Sequence, residues 1–281
     1  MKKLLTFIIA ILFMMVTMAT SCKNEVTPES LGWKLAYQSY TFRVFTFEEG
    51  LQKANDLGLK YVEAYRGQEL TPENSARTHF DMDDNTRDEM RQLLDHYQVK
   101  LINYGVVRAD SEQEWRRIFK FASDMGVETL IAEPEPEQLD YIEQMCEEFQ
   151  INLALHNHPK PSRYWSPDSV LHYISGRSHR IGACADIGHW VRSGLDPLES
   201  LKKLEGHIIS LHFKDLNEID RHAHDVPWGT GVCDVPALLQ ELKDQRFRGV
   251  FSVEYEHNWE NNVPEIKESL KNFRQITSEL H

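Results

Sequence analysis

An eightfold alternation of short apolar runs and helix-like segments most restricts what this 281-residue chain can fold into. The runs are rich in Val, Ile, Leu and Tyr, and the segments between them, such as "EWRRIFKFASDMG", place apolar residues at helical spacing. Strands that alternate with helices predict a parallel sheet. The predicted strands are residues 34–42, 60–65, 100–107, 128–134, 151–158, 181–189, 208–215 and 249–256.

Eight strand–helix units in one chain are typical of a (β/α)8 TIM barrel, which we predict as a single α/β domain over residues 33–281. The alternative is an open, doubly wound sheet. The first predicted strand is followed by "RVFTFEEG", without the GxGxxG motif of dinucleotide-binding sheets, and this favours the barrel.

Residues 1–22 differ from the rest of the chain. Two lysines precede an apolar run, and in "ATSC" the small residues Ala19, Thr20 and Ser21 precede the cleavage expected before Cys22. This order predicts a secretory signal peptide, and the run is shorter than the roughly 20 apolar residues that cross a bilayer. "ATSC" also resembles a bacterial lipobox, which implies a lipid on Cys22 and export to the periplasm or outer membrane. A plain signal peptide and an uncleaved anchor are the alternatives to a lipoprotein signal. We predict that the polar residues 23–32 that follow form a flexible tether.

The charge balance argues against nucleic acid as a partner. The chain has 44 acidic and 31 basic side chains, a net charge of −13. Such a surface repels a phosphate backbone. The one membrane contact that we expect is the lipid on Cys22.

Polar residues stand at the ends of most predicted strands. In a barrel these ends converge on one mouth, so residues distant in sequence would share a site. A single such residue is more often a satisfied polar group, but many imidazoles and carboxylates together are unfavourable without a cation. Histidine and carboxylate ligands without thiolates predict one divalent ion: Mn²⁺, Co²⁺, Zn²⁺ or Fe²⁺. The strand-end residues are Glu63, Glu133, His156, His158, Asp186, His189, His212, Lys214, Glu254 and Glu256.

Four segments, "ACADIGHW", "SLHFKD", "VPWGTGVCD" and "SVEYEHNW", resemble the xylose isomerase-like TIM barrels known as sugar phosphate isomerases/epimerases. The resemblance covers roughly residues 33–277. This superfamily also includes ketose 3-epimerases, inosose and dehydroshikimate dehydratases and type IV apurinic endonucleases. Its members usually bind one divalent cation through Glu, Asp, His and Glu on the fifth to eighth strands.

The resemblance implies that Asp186, His212 and Glu254 are metal ligands, and His156 occupies the place of the fifth-strand glutamate. This departure puts the usual two-glutamate epimerase mechanism in doubt. His158 falls where the dehydratase branch has a histidine that acts as a general base. Glu133, on the neighbouring strand, is a candidate for an extra ligand or the base.

The resulting hypothesis is a metal-dependent isomerase or epimerase that acts on a keto-sugar. The cation would acidify a C–H bond next to a carbonyl group, His158 or Glu133 would remove the proton, and Lys214 or Glu254 would return one. Imidazole suits this role because it titrates near neutral pH. The predicted substrate contacts are His189, His224, Trp228 and Glu63.

Two alternatives remain open at this point. One is a lyase or hydratase that acts on 3-keto-glycosides. The other is a noncatalytic lipoprotein that binds carbohydrate on tryptophan side chains: Trp165, Trp190, Trp228 and Trp259. Phosphorylated sugars are scarce outside the cytoplasm, so we expect a sugar without phosphate.

Overall fold

A computed structural model describes residues 26–281. Eight parallel strands close into a barrel in which each pairs with the next and β8 pairs with β1, so the predicted TIM barrel is confirmed. The predicted signal peptide and Cys22 lie outside the described residues. The strands are β1 (Lys34–Gln38), β2 (Tyr61–Ala64), β3 (Lys100–Val107), β4 (Thr129–Ala132), β5 (Asn152–His156), β6 (Ile181–Asp186), β7 (Ile208–Phe213) and β8 (Val250–Val253).

Nine α-helices of the described residues follow or link the strands. Within residues 26–281, no helix is both long and apolar enough to span a bilayer. The helices are α1 (Phe47–Asp56), α2 (Asp84–His96), α3 (Glu112–Met125), α4 (Leu139–Phe149), α5 (Pro167–Ile174), α6 (Ile187–Arg192), α7 (Pro197–Lys203), α8 (Val235–Asp244) and α9 (Val263–Ser278).

Helix α3 shows how the sequence specifies these elements. Ser111 caps its first turn by accepting a hydrogen bond from the Glu114 N–H, and the chain leaves the helix at Gly126, whose φ is 72°. Its buried residues recur every three or four positions, so one face packs against the barrel. They are Trp115, Ile118, Phe119, Phe121 and Ala122.

Several strands end earlier than the apolar runs predict. The first ends at Gln38 rather than residue 42, because the chain turns into a 3₁₀ helix, Ser39–Phe42. The sixth ends at Asp186 rather than residue 189, because the Asp186 carboxylate accepts the His189 N–H and starts α6. His189 therefore lies on a helix and not on a strand.

The end of the predicted tether is folded. Residues Glu29–Leu31 form a 3₁₀ turn, and Leu31 packs against the hydrophobic core. The barrel domain therefore begins a few residues before Trp33, which is 2% exposed.

The long loop after β7 is built around Asp215. Its Oδ1 accepts the N–H groups of Leu216 and Cys233, each at 2.9 Å, and its Oδ2 accepts those of Gly229 at 2.9 Å and Gly231 at 2.8 Å. A Cβ atom on Gly231 would lie 2.4 Å from Asp215 Oδ1, so the loop requires glycine there. Much of "VPWGTGVCD" therefore serves loop structure.

Replacing Asp215 by asparagine is expected to lower the free energy of unfolding by about 2–4 kcal/mol. The side-chain amide would turn a donor toward two N–H groups, and each buried donor without an acceptor costs about 1–3 kcal/mol. Urea denaturation measures the change. The matched control is Asp234→Asn, because Asp234 caps α8 and asparagine caps equally well. Equal stability of the two variants would contradict this account of the loop.

Candidate metal centre at the mouth of the barrel

Four side chains from the ends of β5 to β8 converge on one point. One ligand atom from each lies within 4.8 Å of all the others. His156, Asp186 and His212 are at most 1% exposed, and Glu254 is 8% exposed. The barrel thus brings together the four residues that we predicted as metal ligands.

The geometry of these atoms fits a divalent cation. His156 Nε2 lies 3.6 Å and His212 Nδ1 3.8 Å from Asp186 Oδ2, and His212 Nδ1 lies 3.0 Å from Glu254 Oε2. Ligands held at about 2.1 Å from one ion are about 3.0–3.4 Å apart in octahedral or tetrahedral geometry. The observed distances are close to that range.

Three of the four atoms are also buried without a hydrogen-bond partner: His156 Nε2, Asp186 Oδ2 and His212 Nδ1. Lys214 Nζ lies 3.0 Å from Asp186 Oδ2 as an ion-pair contact, without hydrogen-bond geometry. Buried polar atoms are normally paired. A shared cation would satisfy all three, so the residues present fit the predicted metal.

Glu63 holds one of the ligand imidazoles. Its Oε1 lies 2.6 Å from His212 Nε2, and its Oε2 accepts hydrogen bonds from Asn103 at 3.2 Å and Ser252 at 2.8 Å. With Nε2 donating to Glu63, His212 presents the lone pair of Nδ1 to the centre. Glu63 is 0% exposed beneath His212, so the prediction that it contacts substrate is wrong.

Replacing Glu63 by glutamine is expected to weaken metal affinity about 10- to 100-fold, the usual effect of removing a carboxylate behind a ligand histidine. Competition with a metal chelator measures the affinity. The control variant is Glu69→Gln, since Glu69 is an exposed glutamate in the loop that follows. Wild-type affinity in Glu63→Gln would show that Glu63 does not support the ligand.

Glu133 holds two further imidazoles of the site, those of His156 and His158. Its carboxylate contacts His156 Nδ1 at 3.1 Å, His158 Nδ1 and the Arg108 guanidinium. Burial alone would raise the pKa of Glu133, but the hydrogen bonds from the two histidines hold it well below its usual range. Because the carboxylate is engaged by three donors, we assign it to positioning His156 and His158 rather than to proton removal.

His158 is the accessible imidazole of the site. Its side chain is 44% exposed, and its ring centroid lies 4.5 Å from that of His156 and 5.3 Å from that of His189. Since Nδ1 is held by Glu133, Nε2 is the free nitrogen. His158, His189 and Glu254 line one cavity of about 450 Å³.

Lys214 is buried among three carboxylates. Its Nζ lies 3.0 Å from Asp186 Oδ2, 2.7 Å from Glu254 Oε2 and 2.8 Å from Glu256 Oε2. Burial would lower the pKa of Lys214, but these carboxylates raise it well above its usual value. Lys214 is therefore an ammonium ion that balances the negative charge of the centre.

His189 lies on α6 and lines the cavity. Its Nδ1 is 3.3 Å from a guanidinium nitrogen of Arg192. Arginine can only donate, so Nδ1 accepts and Nε2 carries the hydrogen. Burial lowers the pKa of His189 well below its ordinary value, and the neutral ring carries its N–H donor at Nε2, which lies 3.6 Å from Asp186 Oδ2.

Two residues predicted as substrate contacts lie away from the cavity. Trp228 is 1% exposed and packs against Phe213 and Phe273, with ring centroids at 4.9 and 5.6 Å, so its prediction is wrong. His224 is exposed and packs on His257 with centroids at 4.3 Å, and it is not among the residues that line the cavity.

The sequence interpretation missed the opposite wall of the cavity. That wall is formed by Gln38, Tyr40, Tyr65 and Arg66, which end or follow β1 and β2. Their position at strand ends was a usable signal. They carry neither an imidazole nor a carboxylate, so the residue pattern of a metal centre does not include them.

Comparisons with solved structures agree with the fold. An uncharacterised protein from Parabacteroides distasonis ATCC 8503 is 36% identical, with a TM-score of 0.72 over 87% of this chain and 99% of that one. A D-tagatose 3-epimerase-like protein is 20% identical, with a TM-score of 0.69 over 88% of this chain and 98% of that one. At that identity the second similarity shows the fold alone.

A curated relative and a family model complete the comparison. The rhizopine catabolism protein MocC of Rhizobium meliloti is 29% identical over 135 residues, which are 42% of this chain and 41% of that protein. This chain thus spans about two fifths of the length of that relative. The family model described as xylose isomerase-like TIM barrel matches residues 51–276. The chain belongs to the xylose isomerase-like TIM barrel family.

Proposed function

We propose that this protein is a divalent-metal-dependent sugar isomerase or epimerase that moves a proton at a carbon next to the carbonyl group of a keto-sugar. The observation that carries the proposal is the placement of His158. A positioned imidazole with one free nitrogen lines the same cavity as Glu254, one of four convergent side chains that could hold a metal ion. When bound by His156, Asp186, His212 and Glu254, the cation supplies a positive charge that makes the neighbouring C–H bond more acidic.

His158 acts as the general base in this proposal. Its Nε2 takes the proton, the electron pair of the C–H bond forms a C=C bond, and the π pair of the carbonyl bond moves onto the carbonyl oxygen. Glu133 holds Nδ1–H and stabilises the imidazolium that forms. The His189 Nε2–H group donates a hydrogen bond to a sugar oxygen.

The return of the proton decides the product. If His158 returns it to the former carbonyl carbon while the hydroxyl group on the deprotonated carbon passes its proton to the enediolate oxygen, a new carbonyl group forms and the sugar is isomerised. If Lys214 donates a proton to the opposite face of the deprotonated carbon and the carbonyl group re-forms, the sugar is epimerised. Lys214 carries this proton because the three carboxylates around it stabilise its ammonium form. Burial alone would raise the pKa of Glu254, but Lys214 and His212 hold it well below its usual value, so Glu254 has no proton to donate.

A lyase that acts on a 3-keto-glycoside is the second candidate. The observation in its favour is His156, which stands where the resemblance implies a glutamate and removes one carboxylate from the two-glutamate mechanism. Elimination needs one base and one acid. The cavity offers one accessible imidazole, and the buried ammonium group of Lys214 lies 2.7 Å from Glu254, which lines the cavity.

We also propose that the substrate carries no phosphate and that the protein acts outside the cytoplasm, anchored by a lipid on Cys22. The "ATSC" sequence and the apolar run before it support this proposal. Globomycin treatment of expressing cells should cause an unprocessed precursor to accumulate, and an unchanged mass would contradict it.

Hydrogen–deuterium exchange at carbon tests the proposed reaction. The protein, reconstituted separately with Mn²⁺, Co²⁺, Zn²⁺ and Fe²⁺, is incubated in D₂O with D-fructose, D-tagatose, lactulose, methyl 3-keto-β-D-glucoside and 3-ketolactose. NMR should show deuterium at the carbon next to the carbonyl group in at least one sugar, whereas the lyase would yield an unsaturated ketone. Sugar binding without deuterium uptake or product under every metal would favour the noncatalytic binding protein.

A further inference from the structure

The cavity at the mouth has two chemically different walls. His158, His189, Glu254 and Glu256 form the wall beside the metal centre, at the ends of β5, β6 and β8. The opposite wall carries Tyr40, Tyr65 and Arg66, which follow β1 and β2. None of these three residues has a role in the proposed proton transfer.

The aromatic residues of this second wall are held in place by packing. Tyr40 meets Tyr65 edge to face with ring centroids 5.2 Å apart, and it meets Trp259 in the same way at 5.7 Å. The Arg43 guanidinium lies over both Trp259, at 4.1 Å, and Tyr40, at 4.9 Å. The rings of Tyr40 and Tyr65 are half-buried, so part of each remains available to a ligand.

The closed strand order decides which residues face each other across the mouth. β1 and β2, which precede Tyr40 and Tyr65, lie opposite β5 and β6, after which come His158 and His189. Glu254 follows β8, which pairs with β1, so it lies beside Tyr40 rather than across from it. All of these residues line one cavity of about 450 Å³, a volume within the usual range of small-molecule sites. The tyrosines are therefore placed to contact a part of the ligand other than the group that His158 and His189 contact.

We propose that Tyr40, Tyr65 and Arg66 form a subsite for a second carbohydrate ring, so that the substrate is a two-ring sugar whose keto group lies in the ring at the metal centre. Aromatic side chains present apolar faces that pack on the C–H face of a sugar, and arginine donates hydrogen bonds to hydroxyl groups. This inference rests on the proposed function for the position of the first ring.

Matched pairs of one-ring and two-ring keto-sugars test the subsite. The pairs are D-fructose with lactulose and methyl 3-keto-β-D-galactoside with 3-ketolactose, whose keto ring also derives from galactose. Calorimetry on the Mn²⁺-loaded full chain gives the affinity ratio within each pair. We expect a preference of at least about tenfold for the two-ring member of at least one pair. Each of Tyr40→Ala and Tyr65→Ala should reduce this ratio about three- to tenfold, the range of single aromatic contacts.

Control variants separate the subsite from folding. Tyr40→Phe and Tyr65→Phe should keep the ratio because they keep the ring, and Tyr141→Ala, on α4 outside the mouth, should keep it as well. Arg66→Ala changes an exposed side chain, so it tests the same wall if a tyrosine variant fails to fold, and it should reduce the ratio severalfold.

The outcomes distinguish this inference from the proposed function. Deuterium uptake combined with ratios near one in both pairs would overturn the subsite alone. So would a wild-type preference that survives in Tyr40→Ala, Tyr65→Ala and Arg66→Ala. Absence of deuterium uptake from every sugar would overturn the proposed reaction, while a preference for two rings that depends on these residues would still support the subsite.

Discussion

Replacing Asp186 by asparagine is expected to abolish tight binding of the divalent cation and to reduce deuterium uptake by about 10³-fold or more, since such a cation supplies several kcal/mol of stabilisation. Asp186 Oδ2 is the atom that faces both ligand histidines. Asparagine preserves the shape of the side chain and can still accept the His189 N–H that begins α6. The variant should therefore fold while it loses the negative charge that the ion requires.

Metal content after dialysis and the exchange rate in D₂O measure this effect. The matched control is Asp196→Asn, because Asp196 caps α7 in the same manner and is not part of the metal centre. It should keep both metal and activity. A metal-saturated Asp186→Asn protein with wild-type exchange would remove Asp186 from the set of ligands.

Replacing His158 by glutamine is expected to reduce turnover about 10²- to 10⁴-fold, the contribution typical of a general base. Metal affinity should change little if the ion is held by His156, Asp186, His212 and Glu254, because His158 is not in that group. A large loss of metal would instead place the ion at the second group of side chains that could hold one, Glu133, His156 and His158. The two measurements together separate loss of the base from loss of the cation.

The control for His158→Gln is His172→Gln, which alters an exposed histidine on α5. Added imidazole should restore part of the activity of a His158→Ala protein, because a free imidazole can occupy the vacated space. Turnover within about threefold of wild type in His158→Gln would exclude His158 as the base and leave Glu133 as the candidate base.

The barrel, and the meeting of His156, Asp186, His212 and Glu254 at its mouth, could be predicted from local sequence pattern, whereas the hypothesis that these four residues in particular bind a metal came from the family resemblance. Alternating strand and helix segments specify a parallel closed sheet, and strands in such a sheet end at one mouth. To place Asp186, His212 and Glu254 at the mouth, only the approximate end of each strand had to be predicted. An error of a few residues in a predicted strand end does not move these residues away from the mouth.

The roles of Glu63, Glu133 and Trp228 depend on nonlocal packing and could not be derived in this way. Glu63 lies within β2 rather than beyond its end, and its partners His212 and Ser252 come from strands distant in sequence. Trp228 is buried by residues of β7 and α9. Sequence pattern places a residue near the mouth but does not decide which way its side chain points.

Anomalous diffraction from a crystal of the Mn²⁺-loaded protein, measured at a wavelength suited to manganese, locates the ion. One strong anomalous peak is expected about 2.0–2.3 Å from His156 Nε2, Asp186 Oδ2, His212 Nδ1 and Glu254 Oε2. No peak among these four atoms, or a peak bound elsewhere in the barrel, would contradict this metal site.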